Sequence, residues 1–130
     1  MSDEKKETHI RNRVAGDNWT IRLTVVDIPV GQTLAQAWFT VKRNLDDLDS
    51  AAIVQKIITS APGAEGQIED TGSDGTGVIK FTLAPEDTEL FDHHVVYVWD
   101  AQVETNIGII NTPDYARGTL KAEPQITQSS

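Results

Sequence analysis

Residues 77–103 read GVIKFTLAPEDTELFDHHVVYVWDAQV, and this stretch decides the fold. Ile79, Phe81 and Leu83 fall on one face of its first half, with Lys80 and Thr82 on the other. In its second half Val95, Tyr97, Trp99, Ala101 and Val103 share a face. Alternation with period two marks half-buried strands of an antiparallel sheet. Pro85-Glu86-Asp87-Thr88 supplies the turn between the two strands.

The same pattern extends outward. WTIRLTVVD (19–27) places Trp19, Ile21, Leu23 and Val25 on one face. Pro29 and Gly31 then break the chain. AQAWFTVKR (35–43) is a further strand, with Ala37, Phe39 and Val41 toward the core and Trp38 on the opposite face. Residues 45–60 are ambiguous, because Asp49 or Ser50 would cap a helix while Ile53, Val54, Ile57 and Ile58 are β-branched. A turn over 46–49 and a strand over 53–59 are favoured. Residues 10–14, 67–69, 107–110 and 118–123 complete the set, with a hairpin turn at Glu104-Thr105-Asn106 and a loop at Pro113-Asp114-Tyr115. The expected architecture is all-β, an antiparallel β-sandwich of immunoglobulin type with about seven to nine strands. Residues 1–8 read as a flexible N-terminal arm, 9–124 as the sandwich and 125–130 as a polar C-terminal tail.

Composition excludes several classes of function. The 130 residues form one domain by length, and 38% hydrophobic content supports a core without staples. Cys is absent, so neither disulfides nor thiolate chemistry is available. Twenty acidic against eleven basic residues give a net charge of −9, which opposes binding to a phosphate backbone. The opening MSDEKKETH is not a secretory signal, and no run approaches the length of a membrane span. These features set the expectation of a soluble protein made in the cytoplasm, with neither nucleic acid nor membrane as a partner.

Candidate chemistry is sparse. Asp70-Thr71-Gly72-Ser73-Asp74-Gly75 faintly resembles a calcium loop, but Lys80 and Phe81 stand where a bidentate Glu is needed. His93 and His94 are adjacent, so in a strand they would point to opposite faces and not share a metal. Asp46, Asp47 and Asp49 read as solvated turn formers, and no local signature joins a Ser, a His and an Asp. The expectation is a non-enzymatic protein with no catalytic residues, no metal site and no cofactor.

One resemblance adds to this. The ordered series AWFTVKRNLDDLDSAAIVQKIIT, GVIKFTLAPEDTELF, YVWDAQV and RGTLKAEPQIT is similar to small immunoglobulin-like virion proteins of tailed bacteriophages. These include the N-terminal domain of upper baseplate proteins. The likeness runs over roughly residues 16–127. It is carried most by Asp87-Thr88, by the strand with Tyr97, Trp99, Asp100, Gln102 and Val103, and by Arg117-Gly118-Thr119-Leu120 with Thr127. The resemblance implies a virion structural protein, assembled in the bacterial host cytoplasm in several symmetric copies. It would dock on tail, baseplate or neck proteins as an adaptor or accessory subunit. The larger baseplate proteins carry a C-terminal extension toward the receptor-binding apparatus, and this sequence stops at Ser130 without one. The alternatives are a capsid decoration (cement) protein and, in another class, a carbohydrate-binding module using Trp38, Tyr115 or Trp19. The candidate partner contacts are Glu4, Lys5 and Lys6 in the arm, Trp38 off the core, and Gln125 and Ile126 in the tail.

Overall fold

The computed structural model describes residues 7–44, 46, 47 and 51–124. Among them the strands are β1 (Trp19–Val25), β2 (Leu34–Lys42), β3 (Val54–Ile58), β4 (Gly66–Asp70), β5 (Gly77–Leu83), β6 (Tyr97–Thr105), β7 (Ile110–Asn111) and β8 (Arg117–Leu120). A single helical turn, α1 (Pro85–Thr88), stands where a plain turn was expected. One sheet has the order β1-β5-β4. The other runs β3-β2-β6-β7, with β8 also pairing with β6. All of these pairings are antiparallel. The two sheets face one another as a β-sandwich, as the alternation predicted.

The inner faces follow from that alternation. Ala37, Phe39 and Val41 on β2, Ile79, Phe81 and Leu83 on β5, and Tyr97, Trp99, Ala101 and Val103 on β6 are all buried. Phe39 joins the sheets: its ring centroid lies 5.3 Å from Phe81 on the facing sheet and 5.4 Å from Trp99 beside it. Trp19, Phe91 and Tyr97 form a second aromatic run, with centroids 5.3 and 5.2 Å apart. Tilted and offset ring pairs at these distances add about 0.5–1.5 kcal/mol each beyond the area they bury.

Polar contacts fasten the sandwich at three places. On one side Ile68 N–H donates to the Thr59 carbonyl, joining the β3 and β4 edges of the two sheets. At α1, Asp87 Oδ2 accepts the Ala84 N–H and meets Lys56 Nζ at 2.8 Å, so an inward-facing lysine on β3 is neutralised by the connection leaving β5. Thr88 is fully buried; its hydroxyl accepts the Gly16 N–H and donates to the Asp17 carbonyl. The 14–18 turn is thereby pinned to a helical turn 71 to 72 residues further on.

The third fastening is the N-terminal segment. Residues 10–14 form isolated parallel bridges, Ile10 with Leu120 and Val14 with Glu123, instead of a full strand. Thr8 N–H donates to the Arg117 carbonyl, and the Thr8 carbonyl accepts the Trp99 indole N–H at 3.0 Å. Thr8, which the sequence placed in the arm, is thus tied to β8 and to the core. The approach requires a glycine at 118, because a Cβ there would run into the Thr8 backbone. The hairpin turn after β6 also differs from expectation. The β6 strand continues through Thr105, and the turn closes at Gly108, whose N–H bonds the Thr105 carbonyl. Gly108 takes a positive φ of 86° that L-residues rarely adopt.

Two substitutions test these fastenings. Thr88→Val leaves the Gly16 N–H and Asp17 carbonyl without their partner and should cost about 1–3 kcal/mol in urea unfolding, while Thr88→Ser should recover most of it. Trp99→Ala should cost about 3–5 kcal/mol through the cavity left beside Phe39. A loss under 1 kcal/mol in either case would refute these assignments.

Candidate functional site: an acidic, apolar loop end

The strand registers bring three loops to one end of the sandwich. Val25 lies opposite Gly77, Leu34 opposite Thr105, and Asp70 opposite Val78. Residues 26–33, 71–76 and 106–109 therefore lie together, and they are bonded to one another. Ile28 N–H donates to the Gly75 carbonyl at 3.0 Å, and Leu34 N–H to the Thr71 carbonyl at 2.8 Å. Asn106 and Thr33 clasp reciprocally: the Asn106 N–H reaches the Thr33 carbonyl, and the Thr33 N–H reaches Asn106 Oδ1. Ile28 is buried beneath the group, and a Cβ at residue 72 would collide with its side chain. The Asp70 and Asp74 carboxylates are turned back on their own loop, accepting the N–H groups of Gly72 and Thr76. They act as turn formers.

The surface of this end has a distinct chemistry. Val26, Val30, Ile107, Ile109 and Ile110 are exposed large apolar residues, with Val30 fully so. Residues 26–33, 70–77 and 104–110 contain Asp27, Asp70, Asp74 and Glu104 but no Lys, Arg or His. Exposed apolar side chains gathered on one end, and rimmed by charge of one sign, mark interaction surfaces. Gln32 in the same loop has a buried Oε1 without a hydrogen-bond partner, the one such side-chain atom among the described residues. Strand periodicity assigns residues 107–110 to a strand and does not mark any of these residues as a surface. The available signal was the run Ile107-Gly108-Ile109-Ile110, where alternation fails and apolar residues crowd a turn.

Of the contacts expected from sequence, Trp38 lies on the outer face of the larger sheet. It stands in register between Ile57 on β3 and Gln102 on β6, and is partly covered. Ile57 beside it is exposed. Glu4, Lys5, Lys6, Gln125 and Ile126 lie outside the described residues, as does Asp49. Further along the same outer face is a shallow depression of about 220 Å³ lined by Thr40, Lys42, Asp100, Arg117 and Thr119.

Two histidine clusters complete the inventory. His9 Nδ1 is 2.7 Å from Thr119 Oγ1, and its Nε2 is 4.0 Å from Glu7 Oε1. The order hydroxyl–imidazole–carboxylate is that of a nucleophilic relay, but 4.0 Å is too long for the hydrogen bond that orients the base. The second cluster corrects an expectation. His93 and His94 are not in a strand; they occupy the turn between α1 and β6. Their rings lie 3.9 Å apart, centroid to centroid, and do not point to opposite faces. Asp92 Oδ1 accepts the His94 N–H at 2.9 Å and lies 3.1 Å from His94 Nδ1. The backbone bond from His94 chiefly holds the Asp92 carboxyl below the ordinary aspartate range, against a smaller opposing effect of desolvation. On the smaller sheet, the hydrogen bond from Arg22 likewise lowers Glu69 and raises Arg22 itself.

No protein-family model matches the chain, and no curated protein matches it.

Two measurements check the site. The double substitution Ile107→Ser/Ile109→Ser should change the folding free energy by no more than about 0.5 kcal/mol per site while lowering the binding of an apolar dye. A larger loss would mean that these side chains are packed and not presented. For Asp92 the folded-state pKa is depressed, so its turn-closing contribution is present above the ordinary aspartate pKa. It is lost as pH falls through the lower folded value. The His94 amide resonance should therefore titrate with a midpoint below the ordinary aspartate range; a midpoint at or above it would contradict the bond.

Proposed function

We propose that the chain is a non-enzymatic structural protein of a tailed-phage virion. In this reading it is an immunoglobulin-like sandwich that docks on tail, baseplate or neck proteins as an adaptor or accessory subunit. The observation that carries the reading is the acidic, apolar loop end. It has exposed valines and isoleucines, four carboxylates and no base, on loops bonded to one another. Such an end suits a partner face that is apolar at its centre and basic at its rim. Opposite charges would then steer the encounter, and apolar burial would hold it. The resemblance of the strand motifs to phage virion proteins supplies the kind of partner.

A stable attachment needs about 1,200–2,000 Å² of buried surface in total. The loop end supplies part of it. The outer sheet face around Trp38 and Ile57, the arm with Glu4, Lys5 and Lys6, and the tail with Gln125 and Ile126 are the remaining contact candidates. A capsid decoration protein would use the same surfaces on a different neighbour. A carbohydrate-binding module is favoured only by the exposed ring of Tyr115 and the half-covered Trp38. A glycan-array signal lost in Trp38→Ala or Tyr115→Ala would promote it.

The test is a cryo-EM reconstruction of particles from the phage that encodes the chain. Density on the tail, baseplate or neck, with the loops around Val30 and Ile107 against a neighbour, is the expected result. Density on the capsid would make the chain a decoration protein. Absence from purified particles despite expression would overturn the virion reading. Deleting residues 1–6, which leaves Thr8 in place, should reduce incorporation without lowering the thermal midpoint; an equal loss of both would deny the arm a docking role.

A further inference from the structure

We propose that Asp92, His93 and His94 form a surface site for one divalent transition-metal ion, of the zinc, cobalt or nickel type. The three side chains each offer one ligand atom, and those atoms all lie within 4.8 Å of one another. A tetrahedral zinc site with bonds near 2.1 Å sets its ligands about 3.4 Å apart, so no pair of ligand atoms has to close by more than about 1.4 Å. His94 is well exposed, which leaves its ring room for that closure.

The backbone that carries the ligands is already fixed. Phe91, one residue before, is buried between Trp19 and Tyr97. The Asp92 N–H donates to the Tyr97 hydroxyl at 2.8 Å, and the Val95 N–H closes the turn on the Asp92 carbonyl at 3.0 Å. Core aromatics on one side and β6 on the other thus hold three consecutive residues in a turn. In an extended strand the same residues would alternate between faces. Preorganisation of this kind lowers the ordering cost of binding.

The donor set selects the metal. Two imidazoles and one carboxylate suit borderline ions, whereas calcium and magnesium require all-oxygen shells with more ligands. In a tetrahedral complex the fourth position falls to water or to a donor from a neighbouring protein.

Zinc chloride and cobalt chloride titrated into the tag-free full chain test the proposal, by calorimetry and by the visible absorption of bound cobalt. The expected result is one ion per chain, with amide shifts confined to residues 91–95. His93→Ala and His94→Ala should each weaken binding by about tenfold or more, and Asp92→Asn should weaken it less. His9→Ala should leave the affinity unchanged, and calcium should not compete. Circular dichroism of each variant guards against unfolding. Absence of saturable binding would overturn the proposal. So would an affinity that survives the His93→Ala/His94→Ala double substitution, or one that depends on His9.

Discussion

The sandwich depends on one aromatic contact across its middle. Phe39, near the middle of strand β2, is fully buried between Phe81 of the facing sheet and Trp99 of its own. The contact fixes which face of each sheet turns inward. Because strand side chains alternate with period two, a slip of one residue in β2, β5 or β6 would expose the ring and its whole inner row. The outer-face positions, Trp38 and Ile57 among them, are therefore set by the same constraint. So is the end of the molecule at which the loops emerge.

Polar interactions then decide how the sheets are trimmed. Lys56 points inward from an edge strand, where an unpaired ammonium would be costly, and Asp87 meets it from the chain leaving β5. The same carboxylate caps the helical turn, and the next residue, Thr88, secures the 14–18 turn. One short segment thus serves two neighbours and caps itself. The loop end is built in the opposite manner: its bonds run from backbone to backbone, or from backbone N–H groups to short polar side chains such as Asn106, Asp70 and Asp74, and its valines and isoleucines face outward.

Most of the sheet structure was legible in the sequence because burial and strand periodicity coincide. Ala37, Phe39 and Val41 alternate with Gln36, Trp38 and Thr40, and both the core face and the off-core Trp followed directly. The β-branched run at 53–58 correctly favoured a strand over a helix. What escaped was governed by contacts distant in sequence. Thr8 looks like part of a polar arm until the Trp99 indole and Arg117 carbonyl are brought beside it. His93 and His94 looked like strand residues because Val95, Tyr97 and Trp99 follow in register, yet the turn begun at Asp92 sets their rings side by side. The exposed apolar end escaped for another reason: loops from three separate parts of the chain make it, and only the Ile107-Gly108-Ile109-Ile110 run is unusual alone.

The parallel seam between residues 8–15 and 117–123 has a mechanical consequence. Five backbone hydrogen bonds join these segments: Thr8 to Arg117, Ile10 to Thr119, Lys121 to Ile10, Glu123 to Arg13 and Ala15 to Glu123. Because the two segments run in the same direction, the chain enters at one end of the seam and leaves at the other. Tension applied between the two ends therefore loads the bonds together in shear and does not peel them one at a time. Opening the sandwich from its ends thus requires these five bonds to break as a group.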